Sequence, residues 1–302
     1  MSNNGTEPTT NTWFGIRSNR QPPGQRVTVL VPTLNEAANL PHVLPHSPGW
    51  VDEVILIDGG STDGTVEVAR RLIPTILVIG QDRRGKGAAL QAGFRAARGD
   101  IIVTIDADGS TDPREIPAFV GALLGGADYA KGSRFMQGGG TDDMERFRRV
   151  GNWVLTSAVR VAFGGRYSDL CYGYNAFRRC VLPTILDPTD GFEIETFMNI
   201  RVLAAGYKVV EVASHEAERI HGVSHLRTLH DGCRVLRTIV SERIKTPRRR
   251  HPVPVPPQPA TAAVYSFNDP GLPAASPSRT AVRPDITVVE APPGQAAEAA
   301  AS

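Results

Sequence analysis

Cysteine is scarce: Cys171, Cys180 and Cys233 are the three in 302 residues, widely separated and odd in number. That excludes a disulfide framework and a CxxC zinc site, and it suits a reducing compartment such as the cytoplasm. No apolar run reaches the ~18 residues needed to cross a bilayer, and residues 1–25 lack the unbroken apolar core of a signal peptide. Net charge is nearly absent too. With 33 basic against 31 acidic residues the formal balance is +2, which argues against a general nucleic-acid binder. The 7 histidines include no HxxxH pair with a third ligand nearby, so a histidine metal site is not expected. There is no GxSxG elbow, GxGxxG fingerprint or GxxxxGK[ST] loop, which sets aside a serine hydrolase, a dinucleotide dehydrogenase and a P-loop NTPase.

What is present is a core. At 41% hydrophobic the chain has ample apolar surface for one large domain or two small ones. Its ends differ from its middle. Residues 1–25 are polar and aperiodic, and from His251 the chain is rich in Pro and Ala, so segments 1–25 and 247–302 are expected to be disordered. The folded part is then 26–246. Inside it Val27–Val31 (stopped by Pro32), Glu53–Ile57, Thr75–Ile79, Ile101–Ile105 and Asp128–Lys131 read as strands. Helices are expected over about 36–44, 64–72, 87–98, 150–163 and 225–245. Near-continuous apolar strands alternating with helices imply an α/β fold, a mainly parallel sheet covered on both faces. Right-handed crossovers place the carboxyl ends of its strands along one edge, where ligands bind.

Three polar motifs fall on that edge. Asp106-Ala107-Asp108 follows the most apolar strand, and residues i and i+2 of extended backbone face the same way, so both carboxylates can reach one hard divalent cation. The same residues also suit a plain turn into the helix opened by Asp112-Pro113. Asp58-Gly59-Gly60-Ser61 lets backbone approach a nucleotide, or simply connects strand to helix with a cap. Pro32-Thr33-Leu34-Asn35-Glu36 ends the first strand. Arg83-Arg84-Gly85-Lys86-Gly87, at a helix amino end, suits a phosphate or is solvated charge. Gly132-Ser133-Arg134-Phe135 follows a strand, residues 137–143 read as a mobile loop that covers a site, and Arg146, Arg148 and Arg149 come next. Over 225–245, Leu226, Leu229, Cys233, Leu236 and Val240 form one apolar stripe amid arginines. Such a helix either packs on the sheet or lies in an anionic membrane surface.

In their order, Val29–Glu36, Ile57–Thr65, Gly85-Lys86-Gly87, Asp106–Asp108, Gly132–Phe135, Ser168-Asp169-Leu170 and Arg219–Leu226 resemble the family 2 glycosyltransferases, and most of all the dolichyl- or polyprenyl-phosphate mannosyl/glucosyltransferase branch. The resemblance covers about 27–245. It implies a GT-A fold, a nucleotide-sugar donor, Mg²⁺ or Mn²⁺, and inversion at the anomeric carbon. By position, Pro32, Leu34 and Glu36 would line the nucleotide pocket with Asp58 near the base, and Lys86 and Ala107 would also sit on the donor side. Asp106 and Asp108 would hold the metal. Arg134, Arg148 or Arg149, and Arg219 would receive an acceptor phosphate, while Ser168-Asp169 and Phe192–Glu195 would border the sugar and acceptor. Two departures stand out: Gly59 occupies the usual place of a second aspartate, and His225 that of a lysine.

The implied activity is metal-dependent transfer of a hexose from GDP-mannose or UDP-glucose to a polyprenyl phosphate, in the cytoplasm and peripherally at the membrane. A hydroxyl acceptor would instead need a base, for which Asp169, Glu193 and Glu195 are candidates. The alternatives are the same fold acting on a soluble acceptor and an inactive nucleotide-sugar-binding protein.

Overall fold

Strands form where β-branched and other apolar residues run together without a turn former, and helices where apolar positions recur every three or four residues. The computed structural model describes residues 24–142, 144, 146–187, 189–222 and 228–245, of Thr228 and Leu229 only the backbone. In chain order the elements are β1 (Val27–Thr33), α1 (Leu40–Val43), β2 (Glu53–Asp58), α2 (Thr65–Leu72), β3 (Leu77–Gly80), α3 (Lys86–Ala96), β4 (Ile101–Thr104), α4 (Ile116–Leu124), β5 (Tyr129–Ser133), β6 (Gly140–Thr141), α5 (Arg146–Phe163), β7 (Asn175–Arg178), α6 (Leu182–Ile185), α7 (Ile194–Ala204), β8 (Val209–Ala213), β9 (His215–Glu216) and α8 (Thr228–Lys245). The segments expected to be disordered lie outside the described residues, apart from Gly24 and Gln25.

Seven strands form one sheet in the order β3-β2-β1-β4-β7-β5-β8, and β6 pairs with β9 apart from it. The sheet is mainly parallel, as its apolar strands imply. β7 alone runs against its neighbours, antiparallel to both β4 and β5. Because two antiparallel steps restore direction, β5 points the same way as β4, and its carboxyl end reaches the same edge. β1 continues through Pro32, where the sequence pattern stops it. Pro32 faces the β4 side, and pairing with β4 ends at Leu30, so the missing amide costs no ladder bond.

Side chains alternate across β1. Val27, Val29 and Val31 enter one apolar layer with residues of α1 and α4, while Leu30 enters a second with Phe94 of α3 and Met198 of α7. A third, smaller cluster joins α5, α7 and α8 through Val159, Ile200, Val235 and Ile239. The helix expected over 36–44 shrinks to α1, because the amides of Asn35, Glu36 and Ala37 bond to side chains of a neighbouring loop. Part of the loop expected to be mobile is instead β6. The expected stripe on α8 is also redistributed: Val235 and Ile239 are buried, and Cys233, Leu236 and Val240 face solvent. Leu226 lies outside the described residues.

Candidate active site

The carboxyl ends of β1 and β2 are tied together by side chains of the loop that follows β2. Asn35 adopts a left-handed backbone with φ 55°. Its amide donates to Ser61 Oγ at 2.9 Å, and its own Oδ1 accepts the Thr62 amide at 2.9 Å. The Glu36 amide donates to Thr65 Oγ1 at 2.9 Å and the Ala37 amide to Asp63 Oδ2 at 3.0 Å. Ser61, Asp63 and Thr65 therefore hold the Pro32–Glu36 turn in shape. Asp58 spends its carboxylate on the amides of Gly60 and Ser61, both at 3.1 Å, so it caps its own turn at the floor of this edge. Leu34 is exposed beside it and Pro32 half-buried.

Asp106 and Asp108 stand at the end of β4 and each carries a cation. Lys86 Nζ lies 2.6 Å from Asp106 Oδ1 and 2.9 Å from Glu195 Oε1. Arg219 Nη2 lies 3.0 Å from Asp108 Oδ2, and its Nη1 lies 2.9 Å from Glu36 Oε1. Burial opposes the Lys86 charge, but Asp106 and Glu195 outweigh it and push its pKa upward. Burial raises Asp106, and Asp108 adds to that against the pull of Lys86. The two like charges disfavour each other, and a cation beside either relieves that. Both carboxylates are partly accessible, 25% and 18%. Among the described residues no group of three His, Cys, Asp or Glu could hold a metal by itself. Two carboxylates offer hard oxygen donors, the chemistry that would suit a divalent ion such as Mg²⁺ or Mn²⁺, and Lys86 and Arg219 pair with them in this structure. Ala107, buried between the two aspartates, leaves them room.

Arg219 thus bridges the ends of β1 and β4. Its segment is anchored there, since the Ile220 amide donates to the Asp108 carbonyl at 3.1 Å and Asn39 Nδ2 to the His221 carbonyl at 3.1 Å. A side chain at Gly109, whose φ is +84°, would strike Ile220. His225 lies outside the described residues.

Arg134 follows β5 and is almost entirely enclosed. Its Nε and Nη2 meet Asp169 at 2.6 and 2.9 Å, and its Nη1 reaches both oxygens of Glu216 at 2.9 and 3.0 Å. Glu216, in β9, also accepts from Thr141 Oγ1 of β6 at 2.7 Å, so its pair with Arg134 ties the β6–β9 ribbon to the end of β5. Burial works against the Asp169 charge, but the Arg134 guanidinium outweighs it and holds the carboxyl below the usual range. Arg134, expected to receive a phosphate, here has its guanidinium spent on two carboxylates. Arg149 is exposed and stands over the Phe135 ring at 6.0 Å, so Phe135 links α5 to the end of β5.

Glu193 and Glu195 open α7. Glu193 Oε1 accepts Arg234 Nη2 at 2.8 Å. At the amino end of α3, where the sequence suits either a phosphate or solvated charge, the Asp190 carbonyl accepts the amides of Gly87 and Ala88 at 2.8 and 3.2 Å. Gly85 and Gly87 serve that approach, since a Cβ on either would strike backbone of residues 189–190.

Sequence reasoning missed Glu216, Glu211 and Lys131. Glu211 accepts the amide and hydroxyl of Ser168 at 2.7 and 2.9 Å. Lys131 is fully buried and donates to the carbonyls of Tyr172 and Gly132 at 2.6 and 3.0 Å. Burial pushes its pKa down, with Asp169 pulling it back. A lysine between Ala130 and Gly132 in a buried strand was the one signal available.

A model of Glycosyl transferase family 2 matches residues 28–186. The polyprenol monophosphomannose synthase of Mycolicibacterium smegmatis is 35% identical over 217 residues, 68% of this chain and 82% of that one. The undecaprenyl-phosphate 4-deoxy-4-formamido-L-arabinose transferase of Aeromonas hydrophila is 33% identical over 222 residues; the match takes in 68% of this chain and spans 64% of the length of that relative. Among solved structures, glucosyl-3-phosphoglycerate synthase from Mycobacterium tuberculosis with Mn²⁺, UDP and glucosyl-3-phosphoglycerate superposes with a TM-score of 0.57 at 27% identity, covering 72% of this chain and 80% of that one. The sheet and its flanking helices are those of a GT-A fold.

Proposed function

The chain belongs to glycosyl transferase family 2, and from that premise we propose that it transfers a hexose from GDP-mannose or UDP-glucose to a polyprenyl phosphate. The observation that carries the acceptor class is the state of the three carboxylates able to serve as a base. Asp169 is clamped by Arg134, Glu193 by Arg234 and Glu195 by Lys86. A hydroxyl acceptor needs a basic, unpaired carboxylate, and each of these faces a cation. A phosphate oxygen is already an anion at neutral pH and needs no base. Two relatives named for undecaprenyl phosphate and polyprenol support the same class.

The reaction is a direct displacement. The acceptor oxygen forms its bond to the anomeric carbon while the bond to the nucleoside diphosphate breaks, and the electron pair leaves on the diphosphate. When bound by Asp106 and Asp108, Mg²⁺ or Mn²⁺ supplies Lewis-acid neutralisation of that leaving charge. The Pro32–Glu36 turn, with Leu34 at its rim, and Asp58 border the nucleotide, while Lys86 keeps Asp106 aimed from a rigid helix. Arg219 sits between the two sides and Arg149 at the acceptor rim, where each stabilises negative charge. Arg134 acts here by positioning Asp169 and Glu216. A lipid acceptor has to be met at a membrane surface; among the described residues no helix is long and apolar enough to cross a membrane.

The soluble-acceptor reading keeps one support, the glucosyl-3-phosphoglycerate named in the neighbouring structure. Transfer assays with Mg²⁺ or Mn²⁺, both donors in parallel and a short-chain polyprenyl phosphate decide between them. A sugar-labelled lipid phosphate is the expected product. Metal-dependent nucleotide release without lipid product would move the acceptor to the soluble class, and no reaction with any nucleotide sugar would leave a binding protein.

A further inference from the structure

Two helices away from the donor site keep large apolar side chains in water. On α5, Phe147, Val150, Trp153, Val154 and Val161 are exposed by 50% to 77%. On α8, Leu236, Val240 and Ile244 are exposed by 48% to 77%. The spacing is regular. Phe147, Val150, Val154 and Val161 recur at three, four and seven, and Leu236, Val240 and Ile244 at four, so each set is one stripe along its helix. The opposite stripes, Asn152, Thr156 and Val159 on α5 and Val235, Ile239 and Glu242 on α8, are buried where the two helices meet each other and α7. The core therefore uses one face of each helix and leaves a second apolar face outside.

Charge on these helices is one-sided. α5 holds four arginines and no acidic residue. The acids of α8, Asp231 and Glu242, are buried, and Glu242 is paired with Arg201. At 100° per residue Arg146 and Arg160 lie along one edge of the α5 stripe, and Arg237 and Arg243 lie on either side of the α8 stripe. In a chain whose formal balance is +2, that is a strong local excess. A second copy of this face is a poor occupant, since a two-fold contact would set arginine against arginine with no exposed acid on either helix to balance it. An anionic bilayer fits instead. Apolar side chains enter the acyl boundary, Trp153 and Phe147 sit at the headgroup level, and arginines meet lipid phosphates.

The geometry points to α5 and α8 together as the docking face of this protein for an anionic lipid bilayer. This deepens the lipid-phosphate reading and rests on it only for its purpose, which is to hold the site at the surface where such an acceptor lies. The test is co-sedimentation of the full chain with vesicles of phosphatidylglycerol and phosphatidylcholine, set against pure phosphatidylcholine, neither containing polyprenyl phosphate. Binding should be at least ~10-fold tighter on the anionic vesicles and weaken with salt, since each cation near such a surface contributes about fivefold. Trp153 emission should shift to the blue, a shift lost in Trp153→Phe. The double variant Val154→Glu/Leu236→Glu should lose about tenfold or more of the binding, by removing apolar contact and adding charge. Both positions are exposed, so its melting temperature and its transfer to a water-soluble short-chain acceptor should stay unchanged. Equal binding to both vesicles, no binding, or full binding by the double variant would overturn the inference. So would a wild-type dimer that the same substitutions disperse. Vesicle binding without any glycosyl transfer would leave this inference standing and sink the proposed function alone.

Discussion

Asp169→Asn tests whether this carboxylate is a clamp or a base. Asp169 is fully buried, takes Nε and Nη2 of Arg134 at 2.6 and 2.9 Å, and accepts the amides of Arg134 and Cys171 at 3.2 and 3.3 Å. Asparagine keeps the shape but turns one acceptor into a donor that faces the guanidinium, leaving Arg134 with Glu216 as its remaining counter-charge. Breaking a buried pair from one side costs about 3–5 kcal/mol, and the surviving Glu216 contact places this case near about 3 kcal/mol. For a domain of this size that is a fall of roughly 6–12 °C in Tm. The pH dependence has a definite sign. The folded-state pKa of Asp169 lies below its ordinary value, because Arg134 outweighs burial. The stabilisation is therefore complete above the unfolded value of about 3.9 and is lost as pH falls through the lower folded value. Thermal melts of wild type and Asp169→Asn from acid to neutral pH should differ most at neutral pH and converge in acid. A melting temperature within about a degree of wild type at pH 7, together with abolished transfer, would refute the clamp and make Asp169 a catalytic base.

Asp108→Ala should cut metal-dependent transfer by at least about a hundredfold at a stability cost of only about 1–3 kcal/mol, from the lost bonds to the Ser110 amide and hydroxyl; full activity would remove Asp108 from the site. Thr65→Val keeps volume but leaves the buried Glu36 amide without its acceptor, so stability should fall by about 1–3 kcal/mol and donor KM should rise, both measurable on one preparation. Gly87→Ala would press a Cβ against the Thr189 carbonyl at 2.5 Å and should lower stability by about 1–3 kcal/mol in a denaturant melt. Gly121→Ala, with nothing within 4 Å, should be neutral or stabilise α4 by up to about 1 kcal/mol.

Much of the edge that carries the candidate site was legible in the residues themselves. Strands buried on both faces read as unbroken apolar runs, so β1, β2 and β4 are found within a residue or two, and a motif directly after such a strand must stand at its carboxyl end. Asp106, Asp108, Asp58 and the Pro32–Glu36 turn share one edge for that reason. Local chemistry could not say which charges meet. Arg134 and Glu216, 82 residues apart, pair because β5 and β8 lie side by side, and a guanidinium carries no mark of which carboxylate it will find. Arg219 was expected beside Arg134 and instead bridges Glu36 and Asp108, since the backbone of Ile220 is anchored to β4. The antiparallel β7 was equally hidden, because a four-residue strand enclosed by neighbours needs no pattern of its own. α8 carries two apolar stripes, and periodicity alone treats them as equals. Packing against α5 and α7 buries Val235 and Ile239 and turns Leu236 and Val240 outward, a choice that exists only once three helices share one core.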